Sequence, residues 1–281
     1  MTTRRPTFIG AGGLGLLAGL ALALSGCIGG NVTAEEIVAQ SFDVSALPRV
    51  IVETFNGHIE VTAGAEASVL AEVTKRGAGF SLADAEDDLK NVEVTMTQEG
   101  DTVRIVARRT DGPVLMGNSG ASIELTVPAG ASLDLRTSNG HIRTDGVTGD
   151  ISMDTSNGAL DVSGGGGRLD LATSNGRVDV EARDAVVDAQ TSNGAIDFRG
   201  SLAAGRHSFR TSNGRIAITL PAGARFRIDA STSNGDVSAD FPVSGAGSSR
   251  DDELHGTVGE NPDVSINAET SNGNIDIRQE P

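Results

Sequence analysis

The chain contains no tryptophan, no tyrosine and only 8 phenylalanines in 281 residues. That scarcity counts against a carbohydrate cleft built on aromatic platforms and against an outer-membrane barrel, which needs aromatic girdles. Cysteine occurs once, at Cys27, which leaves no internal disulfide and no thiolate metal site. Basic residues are also in deficit: 22 Lys and Arg stand against 38 Asp and Glu, a formal net charge of −16. Such a surface repels phosphate backbones, so nucleic acid is not an expected partner. No nucleophile elbow, paired-cysteine zinc motif, phosphate loop or zinc-protease helix occurs. The four histidines, His58, His141, His207 and His255, do not form a metal spacing, and His207 reads as a satisfied core or end-of-rung residue. No catalytic residue is expected.

What is present begins with an export signal. Arg4 and Arg5 precede an apolar stretch over residues 9–24, which ends in Leu24, Ser25, Gly26 and Cys27. Small residues before a lone cysteine resemble the lipobox of bacterial lipoproteins, which implies cleavage before Cys27 and an acyl chain on its thiol. The paired arginines also resemble a twin-arginine signal, although Pro6 and Thr7 depart from its spacing. The expected product is anchored to a bacterial membrane through the lipid on Cys27 and faces the extracytoplasmic side. Loss of residues 1–26 leaves 20 basic against 38 acidic side chains, a net charge of −18. Residues 27–46, small and polar, read as a tether, and residues 47–281 as one all-β domain.

The main fact is a repeat. Thr-Ser-Asn-Gly stands at 137–140, 155–158, 173–176, 191–194, 211–214, 232–235 and 270–273, with Thr-Phe-Asn-Gly at 54–57 as a variant copy. Successive asparagines from Asn139 are 18, 18, 18, 20, 21 and 38 residues apart. Apolar residues recur six and four positions before each Asn and three and five after it, as at Ile151, Met153, Leu160 and Val162 around Asn157. Each unit is therefore two alternating strands, with one face buried and one wet. Asn-Gly is also a strong hairpin signal, and stacked hairpins would show the same alternation. A meander of that kind would expose a long apolar face, whereas a coil with two strands per turn covers each face with the other. The pattern thus predicts a parallel β-solenoid of about eight rungs with 18–21-residue repeats.

Between the first rung and the main array, residues 81–90 predict a short helix capped by Ser81, and residues 91–108 predict two strands around Gly100. Pro128 and Pro221 mark widened corners. Residues 241–262, rich in Gly, Ser and Asp, read as a surface loop. Tandem Thr-Ser-Asn-Gly rungs, the Val-Pro-Ala-Gly corner at 127–130 and the acidic segment after the first strand pair together resemble the bacterial adhesin-like family catalogued as domain of unknown function 4097. The similarity spans roughly residues 47–279. It implies a β-solenoid-like, envelope-associated protein with no established catalytic residues to carry over.

Two columns attract attention. Asn139, Gly140, Asn157, Gly158, Asn175, Gly176, Asn193, Gly194, Asn213 and Gly214 form a structural turn ladder, in which amides bond between rungs and glycine supplies positive φ. Four residues after successive asparagines, Asp161, Asp179 and Asp197 stack as like charges on the wet face. Arg136, Arg168, Arg177 and Arg183 are candidates to relieve them, and weak binding of a divalent cation such as Ca2+ is the sharper reading. Gly164 to Gly167 does not complete a calcium-binding nonapeptide, because Leu169 stands where Asp is required. The expected function is a non-enzymatic envelope module presented to a protein or polysaccharide partner. The alternatives are a polysaccharide-acting β-helix enzyme and a regulatory lipoprotein of an envelope-stress system.

Overall fold

The computed structural model describes residues 17–19, 32–110, 119–245 and 251–280. Cys27 and the export signal apart from Leu17–Gly19 lie outside these residues. The Asn157 rung shows how the alternation becomes a fold. Ile151–Asn157 runs along a first wall and Leu160–Gly165 along a second. Ile151, Met153, Leu160 and Val162 point between the walls and are at most 3% exposed. Neighbouring rungs pair in parallel and in register, Ile151 with Leu133 and Leu169, and Leu160 with Ile142 and Val178. The chain is a parallel β-solenoid with a dry core between two facing walls. Burial of aliphatic side chains across that gap is the dominant stabilising term.

Rungs at the two ends do not stack in chain order. In space the asparagines run 56, 139, 157, 175, 193, 213, 272, 234. The Asn56 rung, Arg49–Thr54 with Ile59–Gly64, pairs on one side with the Asn139 rung. On its other side lie Thr102–Arg109 and Gly120–Pro128, a further rung without the Thr-Ser-Asn-Gly signature. At the far end the last rung, Val264–Asn272 with Ile275–Gln279, is inserted between the Asn213 and Asn234 rungs.

Antiparallel strands then close the ends, where a bare parallel edge would invite pairing with another chain. Ser68–Gly79 covers Gly120–Pro128, and Val92–Glu99 covers Thr102–Arg109 in the hairpin turned at Gly100. Glu253–Val258 covers Phe226–Asn234 at the opposite end. The surface-loop reading of residues 241–262 is therefore corrected for that strand, whose alternating Leu254, Gly256 and Val258 pack a closing edge. The tether reading of residues 27–46 is corrected as well: Val32–Asp43 is a strand paired along its whole length with Ser68–Gly79. Val32, Ala34, Ile37, Val38 and Phe42 give this segment the apolar content of a half-buried strand, and Ala34 and Phe42 are buried. A short strand, Leu17–Gly19, pairs with the outer edge of Val32–Asp43 at residues 37–39.

The helix forms over Leu82–Leu89 with Ser81 as its N-cap. The Ser81 hydroxyl accepts the Asp84 amide, and the Asp84 carboxylate accepts the Ser81 amide, a reciprocal capping box. The helix lies directly on the preceding strand because Gly77 and Gly79 leave room. A Cβ at Gly77 would meet the Ala85 carbonyl oxygen at 2.3 Å, and one at Gly79 would meet the Asp84 Cβ at 2.4 Å.

Candidate functional site: the charged second wall

At each Thr-Ser-Asn-Gly corner three interactions repeat. The Asn157 side-chain amide donates to Asn139 Oδ1 at 2.9 Å, and Asn175, Asn193, Asn213, Asn272 and Asn234 continue the chain at 2.9–3.1 Å. Each buried threonine hydroxyl donates to the corner glycine carbonyl of a neighbouring rung, Thr173 to Gly158 and Thr191 to Gly176, both at 3.0 Å. The glycine is required by contact: a Cβ at Gly158 or Gly176 would sit 1.9 Å from the carbonyl oxygen of the adjacent corner glycine. Positive φ occurs at Gly140, Gly235 and Gly273 but not at Gly158, Gly176, Gly194 or Gly214. The expectation that these corners need left-handed glycine is corrected accordingly for the middle of the coil. The ladder is structural, and its amides bond to one another.

The second wall turns its charged side chains outward. Asp161, Asp179 and Asp197 stand in register on adjacent strands, flanked in the same row by Arg143 on one side and Ala217, then Asp276, on the other. A second row carries Ser163, Glu181, Arg199, Thr219 and Arg278. Arginines from the corners lie across the acidic row. Arg177 reaches Asp161 at 3.1 Å and Asp179 at 2.9 Å, and Arg215 takes both oxygens of Asp197 at 2.8 and 3.0 Å. Arg278 holds Asp276 at 2.9 Å, and the Ser238 hydroxyl donates to the same carboxylate. Partial burial raises the Asp179 pKa, and the Asp197 and Asp161 charges push it the same way, against Arg177 and Arg215.

This geometry changes the reading of the row. The three aspartates are brought together as the period requires, yet guanidinium groups occupy the space between their carboxylates. Among the described residues no group of three or more His, Cys, Asp or Glu is arranged to hold a metal ion. Of the arginines singled out from sequence only Arg177 serves the row. Arg215 was missed, and its signal was available: it occupies the same place after Asn-Gly as Arg177, one residue past the glycine. Along this row the wall dips into an open concavity of about 540 Å³, lined among others by Asp161, Asp179, Asp197 and Ala217. Arg143 and Arg199 border it and have no ion-pair partner among the described residues.

His207 is buried, and both ring nitrogens are engaged. The Val187 amide donates to Nδ1 at 3.2 Å, and Nε2 lies 2.9 Å from the Ala203 carbonyl oxygen, which fixes the neutral tautomer with Nε2 as donor. It stands inside the strand Gly205–Asn213, in register with Ile266 of the neighbouring rung. His58 and His141 stack with centroids 5.0 Å apart, and His141 contacts Glu60 at 3.1 Å. Among the described residues no helix is long and apolar enough to cross a membrane.

Comparison with known proteins places these features in a wider set. The family profile described as Toastrack DUF4097 matches residues 54–278. No curated protein matches the chain significantly in sequence. Among solved structures, a "putative cell adhesion protein" from Clostridium sporogenes is 14% identical, aligns over 88% of this chain and 100% of its own, and has a TM-score of 0.34. A "putative adhesin" from Bacteroides fragilis is 12% identical over 86% and 97%, with a TM-score of 0.46. A "putative lipid binding protein" from Parabacteroides distasonis is 14% identical over 85% and 96%, with a TM-score of 0.39.

Proposed function

Because the chain belongs to the Toastrack family DUF4097, we propose that it works without catalysis, as a cell-envelope lipoprotein whose solenoid is a binding or scaffold module. An acyl chain on Cys27 holds it to the extracytoplasmic face of a bacterial membrane. The walls face an envelope protein or a polysaccharide. The observation that carries this reading is the regular outer surface: Asp161, Asp179, Asp197 and Asp276 of the second wall are tied by Arg177, Arg215 and Arg278, and the corner amides are tied to one another. Such a surface offers rows of polar groups at strand spacing with little side-chain entropy left to lose on contact. The lipobox ending at Cys27 supports the anchor, since hydrophobic length, basic start and motif position agree.

The test is direct. Cells expressing the wild type and a Cys27→Ala form are labelled with a fatty-acid analogue, fractionated, and crosslinked before affinity capture. The wild type is expected to carry label, to sediment with membranes and to retain envelope partners. Label retained by Cys27→Ala would overturn the anchor, and capture of no envelope component by either form would overturn the binding role.

A further inference from the structure

From the arrangement at the N-terminal end, we infer that Phe80 and Leu82 form a membrane-contacting edge that seats the base of the coil on a zwitterionic lipid surface. The inference rests on the lipid anchor proposed at Cys27 and adds the part of the folded chain that meets the bilayer.

Large apolar side chains are rarely exposed in this chain. The exceptions among the described residues are Leu47, Leu70, Phe80 and Leu82, and two of the four lie within three residues of one another. Phe80 is 67% exposed and Leu82 37%. Both sit where the strand Ser68–Gly79 passes into the helix, and their support is rigid. The capping box at Ser81 and Asp84 fixes the turn, and the helix backbone rests against Gly77 and Gly79 without an intervening side chain. An exposed aromatic held this firmly presents apolar area with little rotamer freedom to lose on contact.

The path of the chain chooses the occupant. Val32, where the first long strand begins, is the register partner of Gly79, next to Phe80. Cys27 lies five residues before Val32, a reach of at most about 17 Å when extended. An acyl chain inserted at Cys27 therefore brings a bilayer surface alongside Phe80, where an aromatic ring finds the interfacial environment it favours. The surrounding charge selects the headgroup. Asp84, Glu86 and Asp87 lie on the same helix, Lys90 is paired with Asp87 at 2.7 Å, and Lys75 is paired with Glu36 at 2.7 Å. The surplus is negative, so phosphatidylethanolamine and phosphatidylcholine suit the patch, and anionic lipids oppose it.

The chain has no tryptophan, so Phe80→Trp places a single indole at the proposed contact and Ser174→Trp places a control at an exposed corner in mid-coil. The lipidated full-length variants are reconstituted into phosphatidylethanolamine and phosphatidylcholine vesicles, with brominated acyl chains as quencher. The Phe80→Trp emission is expected to move to shorter wavelength and to be quenched, the Ser174→Trp emission to do neither, and phosphatidylglycerol to reduce the Phe80→Trp response. Two results would overturn the inference: equal emission from the two positions on floated vesicles, or a Phe80→Trp shift that follows self-association without lipid. Failure of the anchor is read separately, from loss of acyl label and of flotation in the wild type. In that case quenching of Phe80→Trp in mixtures with vesicles still decides the patch.

Discussion

Thr173 and Gly176 are three residues apart in one corner, and each acts on the rung before it. The Thr173 hydroxyl supplies the hydrogen bond that the Gly158 carbonyl needs, and Gly176 supplies the space that this carbonyl fills. Thr173→Val keeps the shape and removes the donor, leaving a nearly buried carbonyl with one partner fewer. A cost of about 1–3 kcal/mol in urea unfolding is expected. Gly176→Ala should cost as much or more, since its Cβ cannot be placed without moving backbone. If both substitutions leave the unfolding midpoint unchanged, the corner is not a stabilising element. His207 acts at the same scale through its proton. Burial holds its pKa below the ordinary histidine value, so the folded chain keeps the ring neutral while the unfolded chain takes a proton near pH 6.5. Its contribution is present above that pH and is lost as pH falls, because the unfolded state then binds more protons. The melting temperature should drop on acidification from about pH 7 to 5, and His207→Gln should flatten that slope. An identical slope in the variant would remove His207 from the account.

At the scale of elements, the helix is fastened by one carboxylate. Asp88 is buried, which alone would raise its pKa, but hydrogen bonds from Arg109 and the Ala78 amide, with the Arg109 charge, hold it below the usual carboxylate range. Asp88→Asn leaves the Arg109 charge poorly matched in a half-buried site, and a loss of about 2–4 kcal/mol at neutral pH is expected. The native carboxylate stabilises above the unfolded value near 3.9 and loses that contribution as pH falls through its lower folded value. The gap between wild type and variant should therefore close in acid, and a gap independent of pH would refute the ion-pair explanation. This helix was legible in the sequence because Ser81 and Asp84 spell a capping box, and the hairpin at Gly100 because two alternating runs flank it. The order of the rungs was not. The Asn213, Asn234 and Asn272 rungs present the same apolar columns and the same Thr-Ser-Asn-Gly corner, so Ile275 fits beside Ile216 as well as Val237 does. What decides between them is the closing strand Glu253–Val258, whose pairing with Phe226–Asn234 makes that rung the outer one and sends the last rung inside. The acidic row was legible from the period, and its neutralisation was only half so: corner arginines reach across strands, and side-chain reach is not written in a repeat.

For the whole molecule, the interleaved ends divide the coil into a modular middle and two locked termini. From Asn157 to Asn193 each rung contacts only its sequence neighbours, the condition under which solenoid stability is a sum of rung and interface contributions. Residues 158–175 make one full turn, beginning at a corner glycine and ending at the next asparagine. Inserting three further copies after Asn175 keeps every column in register: apolar residues stack on apolar, threonine on glycine carbonyl and amide on amide. The added rungs should lengthen the rod by about 14 Å at strand spacing, with the melting temperature held or raised. At the far end the expectation reverses. Val264–Asn272 and Ile275–Gln279 lie between two rungs that precede them in sequence, so removing residues 264–281 takes out an interior layer. The exposed faces of the Asn213 and Asn234 rungs would then include Phe209, Ile216 and Ile228, all buried in the intact chain. Small-angle scattering and thermal melting of the two proteins make the comparison. A truncated chain that melts like the wild type, or a lengthened one that gains no length or loses cooperativity, would mean that rung identity in this coil is not interchangeable in its middle and not locked at its end.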